Sequence, residues 1–399
     1  MTCCEISSDS TRTRSRRCTP GGWSDDAWSG ARVPDRHPVR QSRYQGDIVN
    51  PMTRPKNTLR LGAGALALAL TLGACGSGSD DSSSGGSISA KVAYYPGALV
   101  SMPALVAQEK GFFEKNGLKV ELTKIPNGPA MTASLSSGSV DFVNNSYDNL
   151  AVAVSKNLPV RAVAGNTVRV PFKLLVRSDV DTPHLGSGFP DVIDDLVDRK
   201  WGVIALGVSL QYLDEVLLTK SGHSAKDVTF LAVGLGDPAR AALKNKTVDT
   251  YIATEPLPSI AESTGEAKVA VDLVAGEGPQ EIANLDYNGW WASSKAVTSN
   301  PKMIERFVKA NEDAFCWYRD PANLDELVTI LKKSVPVPAL DDAEYKEMVK
   351  NSLPSFGVTI KDQSLQTWQQ LLVDNKQLKQ VYDRADLVAD VAPKEYTCP

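Results

Sequence analysis

Histidine is nearly missing from this chain: three occur in 399 residues, His37, His184 and His223. No carboxylate or cysteine stands near the last two at metal-ligand spacing, so no metal site is expected and no cofactor is implied. No G-x-S-x-G stretch occurs and neither of those histidines neighbours a nucleophile elbow, which disfavours a serine hydrolase. Basic residues are not in excess either. With 43 Lys and Arg against 47 Asp and Glu the net charge is −4, which offers no basic field for nucleic acid. Long apolar runs are absent apart from one at 61–72, which is itself short for a bilayer span. Of six cysteines, Cys3, Cys4 and Cys18 fall in the first 51 residues, leaving Cys75, Cys316 and Cys398.

What is present begins with a tail. Residues 1–51 are poor in aliphatics and rich in Arg, Ser, Asp and Gly, without helical or strand period, so they are expected to be disordered. Met52 opens something different: Arg54, Lys56 and Arg60 precede the apolar run, the layout of a secretory signal. A signal is read at an N-terminus, so Met52 is the expected start and the preceding tail an extension not translated in vivo. The run ends in Leu72-Gly73-Ala74-Cys75, which resembles the lipobox of bacterial lipoproteins. That resemblance implies a signal peptide over 52–75 and acylation of Cys75, a stable anchor when two or more chains are attached. An uncleaved signal anchor is the other reading of the same run. Residues 76–87 (GSGSDDSSSGGS) have the composition of a flexible tether. Outside the cytosol, Cys316 and Cys398 can pair and staple the C-terminus to a helix; one buried and one frayed thiol is the alternative.

The remaining stretch of about 325 residues suits two domains at roughly 100–200 each. It starts with a strand at 91–94, a loop at Pro96-Gly97, a helix from Pro103 carrying Leu105, Val106, Phe112 and Phe113 on one face, a stop at Gly117, and a strand at 119–122. This is a βαβ unit with parallel strands, and ligands in such sheets lie beyond the strands' carboxyl ends. A short helix at 130–135, a strand at 139–143, a helix at 147–156 and strands at 158–164 and 173–177 follow. A second series begins at 201–205, with Ser209 as expected N-cap of a helix ended by Gly222, then strand, helix and strand at 228–233, 238–243 and 248–252. After an aromatic strand at 285–293, helical spacing dominates to the end.

The segments AQEKGFFEKNGLKVEL, NGPAMTASLSSGSVDFVNNSYDNLAVAVSKNLPVRAVAG, KWGVIALGVSLQYLDEVLLTKSGHSAKDVTFLAVG and AALKNKTVDTYIATEP resemble, in order and spacing, the solute-binding proteins of ABC importers. The branch is that for nitrate, aliphatic sulfonates, taurine and the thiamin pyrimidine precursor. The resemblance implies an α/β, two-lobed periplasmic-binding-protein-like type II fold with a hinge and a ligand cleft. Lobe I would comprise 88–180 and 285–399, and lobe II 181–284. The implied partners are a small-molecule ligand, ABC permease subunits and the membrane through the lipid anchor, on the extracytoplasmic face, with a monomer as the expected state.

Carried over by position, the cleft loops supply Tyr95, Pro96, Gly97, Asn127, Gly128, Asn145, Ser146, Tyr147, Asn166, Gly207, Ser209 and Glu255, to which the aromatic strand adds Trp290. Alternation along a strand brings Tyr94 or Tyr95 to the ligand, not both, and likewise one of Trp290 and Trp291. Aromatic faces suit a planar heterocycle, whereas the helix start at Gly207 and Ser209 suits an anion such as a sulfonate. Two other functions compete with transport. One is a ligand sensor for a membrane receptor. The other is an enzyme like the thiamin-pyrimidine synthases that share this fold and consume an active-site histidine, which the corresponding loops here do not have.

Overall fold

The computed structural model describes residues 86–399. The expected tail, signal peptide and Cys75 lie outside the described residues, as does most of the tether. Ten strands follow in chain order: β1 (Ile88–Tyr94), β2 (Leu118–Lys124), β3 (Phe142–Ser146), β4 (Val160–Gly165), β5 (Lys173–Arg177), β6 (Lys200–Val203), β7 (Thr229–Ala232), β8 (Thr250–Ala253), β9 (Ala267–Asp272) and β10 (Asn288–Ser293). They form two five-stranded sheets, β2-β1-β3-β10-β4 and β7-β6-β8-β5-β9. Within each sheet the fourth strand runs against its neighbours: β10 is antiparallel to β3 and β4, and β5 is antiparallel to β8 and β9. The chain leaves the first sheet after β4, enters the second through β5, and returns from β9 through β10. Both crossings therefore feed a reversed strand.

This pairing corrects the expected boundary at residue 180, which places 173–177 with the first lobe. Leu174 opposes Ile252 of β8 and Val271 of β9, so the strand belongs to the second sheet. Sequence adjacency to β4 misleads here because the crossing takes only residues 166–172.

Local chemistry accounts for most elements. Pro103 occupies the first turn of the helix Met102–Glu109, where its missing N–H costs nothing. The expected continuous helix to Gly117 is broken by Gly111, whose φ of 70° is left-handed, and it restarts as Phe112–Lys115. Ser209 is the first helical residue of Ser209–Lys220 and Val208 the N-cap, so the expected cap lies one residue off. β3 runs three residues further than its expected end at 143. Asn144, Asn145 and Ser146 are therefore part of a fully buried strand.

The helix Pro301–Arg319 covers one face of the first sheet, where Met303, Ile304 and Phe307 pack with Val92, Phe142 and Trp290, and Trp368 of the helix Asp362–Asp374 packs on the other with Val143 and Ala162. Phe307 stacks on Phe142 with ring centroids 3.8 Å apart and meets Trp290 edge-on at 5.4 Å. Cys316 of that helix and Cys398 are joined in a disulfide, their Cα atoms 5.5 Å apart. The segment after Ser355 also lies against β4. Gly165 donates to Val358 O at 2.8 Å, and a Cβ there would stand 2.2 Å from Thr359 O, so only glycine allows the approach. No helix among the described residues is long and apolar enough to cross a membrane.

Asp214, inward on the helix Ser209–Lys220, is fully buried, and neither carboxylate oxygen has a partner among the described residues. Burial, reinforced by the charge of Glu215, pushes its carboxyl well above the usual range. A raised carboxyl binds its proton more tightly folded than unfolded. Its contribution is thus fully present below the ordinary value near 4 and is lost as pH rises through the folded value. Asp214→Leu is expected to raise stability by roughly 1–3 kcal/mol at pH 7.5 and by less at pH 4. Urea unfolding at the two pH values checks this; an equal change at both would contradict it.

Candidate ligand-binding site

Parallel strands deliver their last residues to one edge of each sheet, and the two edges face each other. From the first sheet come Tyr95 after β1, Asn145 and Ser146 at the end of β3, and Asp148 and Asn149 in the first turn of the helix Tyr147–Ser155. Tyr287 arrives on the return crossing. From the second come Ser209 and Tyr212, one turn apart on the helix after β6. The two sides touch: Ser209 Oγ lies 3.1 Å from Tyr287 Oη, and Leu99 N donates to Glu255 O at 3.1 Å.

Asn145 organises the first side. Its Nδ2 donates to Gly128 O at 3.0 Å and to Thr132 Oγ1 at 3.1 Å. Its Oδ1 accepts from Ser146 N at 2.9 Å, from Asn149 Nδ2 at 3.3 Å and from Tyr95 Oη at 3.4 Å. Asn149 also donates to Ser146 Oγ at 2.8 Å. Each short polar chain is therefore held by its neighbours, which fixes the wall before any solute arrives.

Asp148 is the charged member. It is 3% exposed, and its Oδ1 has no partner among the described residues. Burial raises its carboxyl above the usual range, opposed by hydrogen bonding from the Ser146 hydroxyl, from backbone N–H groups at Asn149 and Asp148, and from the Ser209 hydroxyl. Tyr287, Tyr95 and Tyr212 are also held above the usual phenol value. Burial is the main cause in all three, and the Asp148 charge contributes to each.

The expected site residues divide into three groups. Tyr95, Asn145, Ser146 and Ser209 are brought together in this cluster, while Tyr94 turns into the core with Leu99 and Trp290. Gly128 joins it through its carbonyl. Asn127 caps the helix Gly128–Ser136 by accepting from Ala130 N at 2.9 Å, and it is exposed, as are Pro96, Gly97 and Gly207. The Gly207 N–H is already donated to Gln211 Oε1 at 2.8 Å, which takes one donor from the expected anion site. Asn166 lies at the outward crossing, where Nδ2 donates to Val100 O at 3.1 Å and to Asn288 Oδ1 at 3.3 Å. Glu255 sits across from Leu99, its side chain directed to Lys173 at 3.4 Å.

Two expectations fail on packing. Tyr147 and Trp290 are buried within the apolar cores on either face of the first sheet, Tyr147 with Val143, Leu150 and Ala162, and Trp290 against Phe307. Trp291 is buried as well, so β10 offers neither indole to the cleft. Asp148, Asn149, Tyr212 and Tyr287 were not anticipated. The available signal was an acid and an amide in the first turn of a helix that follows a polar strand end. A hollow of about 400 Å³, lined by Lys173, Glu262, Asp272 and Glu277 at the second sheet's edge, includes none of these residues.

The NMT1/THI5 like family profile matches residues 99–323. A Bacillus subtilis protein named for aliphatic sulfonate binding is 26% identical over 263 residues, 63% of this chain and 71% of its own. Riboflavin-binding protein RibY of Chloroflexus aurantiacus is 24% identical over 257 residues, 63% of this chain and 68% of its own. The solved alkanesulfonate-binding protein SsuA from Xanthomonas axonopodis pv. citri, bound to MOPS, superposes with a TM-score of 0.60 at 18% identity. That superposition covers 75% of this chain and 96% of the other. Two mixed sheets with facing carboxyl edges and reversed crossing strands are the periplasmic-binding-protein fold, and with the profile spanning both sheets the chain belongs to the NMT1/THI5 like family.

Proposed function

We propose that this protein captures a small organic solute between its lobes and delivers it to the permease of an ABC importer, without catalysis. It works outside the cytoplasm on a lipid anchor at Cys75. The observation that carries the reading is the meeting of polar groups from both sheets, Ser209 Oγ on Tyr287 Oη at 3.1 Å, where opening and closing would expose or enclose a solute. Named relatives that bind sulfonates and riboflavin support the role. Each described histidine is engaged by an aspartate outside the polar cluster, His184 by Asp195 and His223 by Asp194, which supports binding over chemistry.

The solute classes to test are sulfonate- or taurine-like anions and planar heterocycles. A thermal-shift panel should include alkanesulfonates, taurine, nitrate, aminopyrimidines and riboflavin. A true ligand at about 100 times its dissociation constant is expected to stabilise the protein by ~2.7 kcal/mol. Silence across the panel would remove this reading and favour a ligand sensor for a membrane receptor.

A further inference from the structure

Asp148 has a bland explanation: an acid in the first turn of a helix gains from the helix dipole. That gain is available to an exposed side chain. It does not account for a carboxylate that is 3% exposed with one oxygen unpartnered among the described residues. An unpaired buried acceptor costs free energy unless something completes it.

Its surroundings are one-sided. Next to it in the chain Asn149 donates to Ser146 Oγ at 2.8 Å, Tyr95 Oη lies 3.4 Å from Asn145 Oδ1, and Ser209 Oγ from the other lobe lies 3.1 Å from Tyr287 Oη; the Asp148 charge raises Tyr95, Tyr212 and Tyr287 alike. Among the described residues no lysine or arginine forms an ion pair or hydrogen bond with any of these groups. At the lobe contact Lys173 is committed to Glu255 at 3.4 Å and Asp272 at 3.3 Å, and Arg384, on a short helix packed against the Asp148 helix, donates to Ile360 O at 2.9 Å and Asp362 Oδ1 at 2.6 Å. A sulfonate or nitrate placed at Oδ1 would meet a carboxylate. A protonated nitrogen would meet a fixed acceptor and aromatic faces that attract cations.

We infer that Asp148 is the specificity-determining residue of the cleft, accepting from an N–H of a basic, flat or apolar-bodied solute, so that the cargo is an organic nitrogen base and not an oxyanion. This rests on the cleft being the solute site proposed above. The unpartnered Oδ1 takes the solute's N–H, and the tyrosines flank its body.

The test is calorimetric titration of the purified protein with matched pairs that differ in head group: benzamidine against benzenesulfonate, and 4-aminopyrimidine against pyrimidine. The expected result is binding of the N–H-bearing member of a pair at least tenfold tighter than its partner, with Asp148→Asn weakening that member at least tenfold. Asp148→Asn is nearly isosteric and removes a buried charge, so its unliganded melting temperature should not fall. Should it fail to fold, the wild-type preference within each pair still decides. Benzenesulfonate binding better than benzamidine, or an Asp148→Asn variant that keeps full affinity, would overturn this inference and leave the solute-binding role intact. No binding of any member to the wild type, together with silence across the wider panel, would overturn both.

Discussion

Replacing Lys173 by methionine is expected to lower unfolding free energy by about 3–5 kcal/mol at neutral pH, the usual cost of stranding a buried charge. Lys173 opens β5, opposite Ala253 on one side and Asp272 on the other. Its ammonium reaches Glu255 at 3.4 Å and Asp272 at 3.3 Å. Burial alone would lower its titration, and the pull of Glu255 and Asp272 overcomes this and raises it. Glu255 is 7% exposed, and burial already lifts its carboxyl despite Lys173. Without the lysine the carboxyl must rise further. A raised carboxyl contributes stability below its unfolded value near 4.3 and loses it as pH climbs through the folded value. The deficit of Lys173→Met should therefore be greatest near pH 7.5 and shrink toward pH 4.5. Denaturant titrations at both values measure it, and a deficit that does not change with pH would show that the lysine acts through packing alone.

Replacing both Cys316 and Cys398 by serine is expected to cost about 4 kcal/mol, because the bond closes a loop of 82 residues and so restricts the unfolded chain. At this size that corresponds to a melting temperature lower by roughly 5–10 °C. The loop holds the helices Leu324–Ser334, Asp342–Ser352 and Asp362–Asp374, which pack against the helix Met102–Glu109, against one another and against the helix Tyr147–Ser155, so the effect should spread over one cooperative unit. Calorimetry of the oxidised protein, the reduced protein and the double variant gives the comparison. Coincident transitions in all three would mean that helix packing alone sets the unfolding free energy.

Glu255 connects these stability arguments to solute capture. Its side chain is anchored by Lys173 within the second sheet while its carbonyl accepts from Leu99 of the first, so the residue takes part in the lobe contact without belonging to the Asp148 cluster.

Much of this was legible in the chain before any coordinates. Spacing of Leu, Val and Phe gave the helices, short β-branched runs gave the strands, and Pro96-Gly97, Asn127-Gly128 and Gly207 marked the loops at strand ends. Those signals are local: propensity, period and turn chemistry act within a few residues, so they survive without knowledge of what packs where. Sheet membership of β5, the burial of both Trp290 and Trp291, and the recruitment of Asp148 and Tyr287 were not legible. β10 lies between β3 and β4 with an apolar layer on each face, so alternation could not separate a cleft face from a core face. Asp148 becomes special only through its burial in the fold, where Ser209, 61 positions away in sequence, meets Tyr287, further still, and its charge bears on Tyr287. The sequence by itself determined the rhythm of elements and the edge where a site must lie; tertiary structure decided which side chains face it, because desolvation depends on the neighbours a fold brings together.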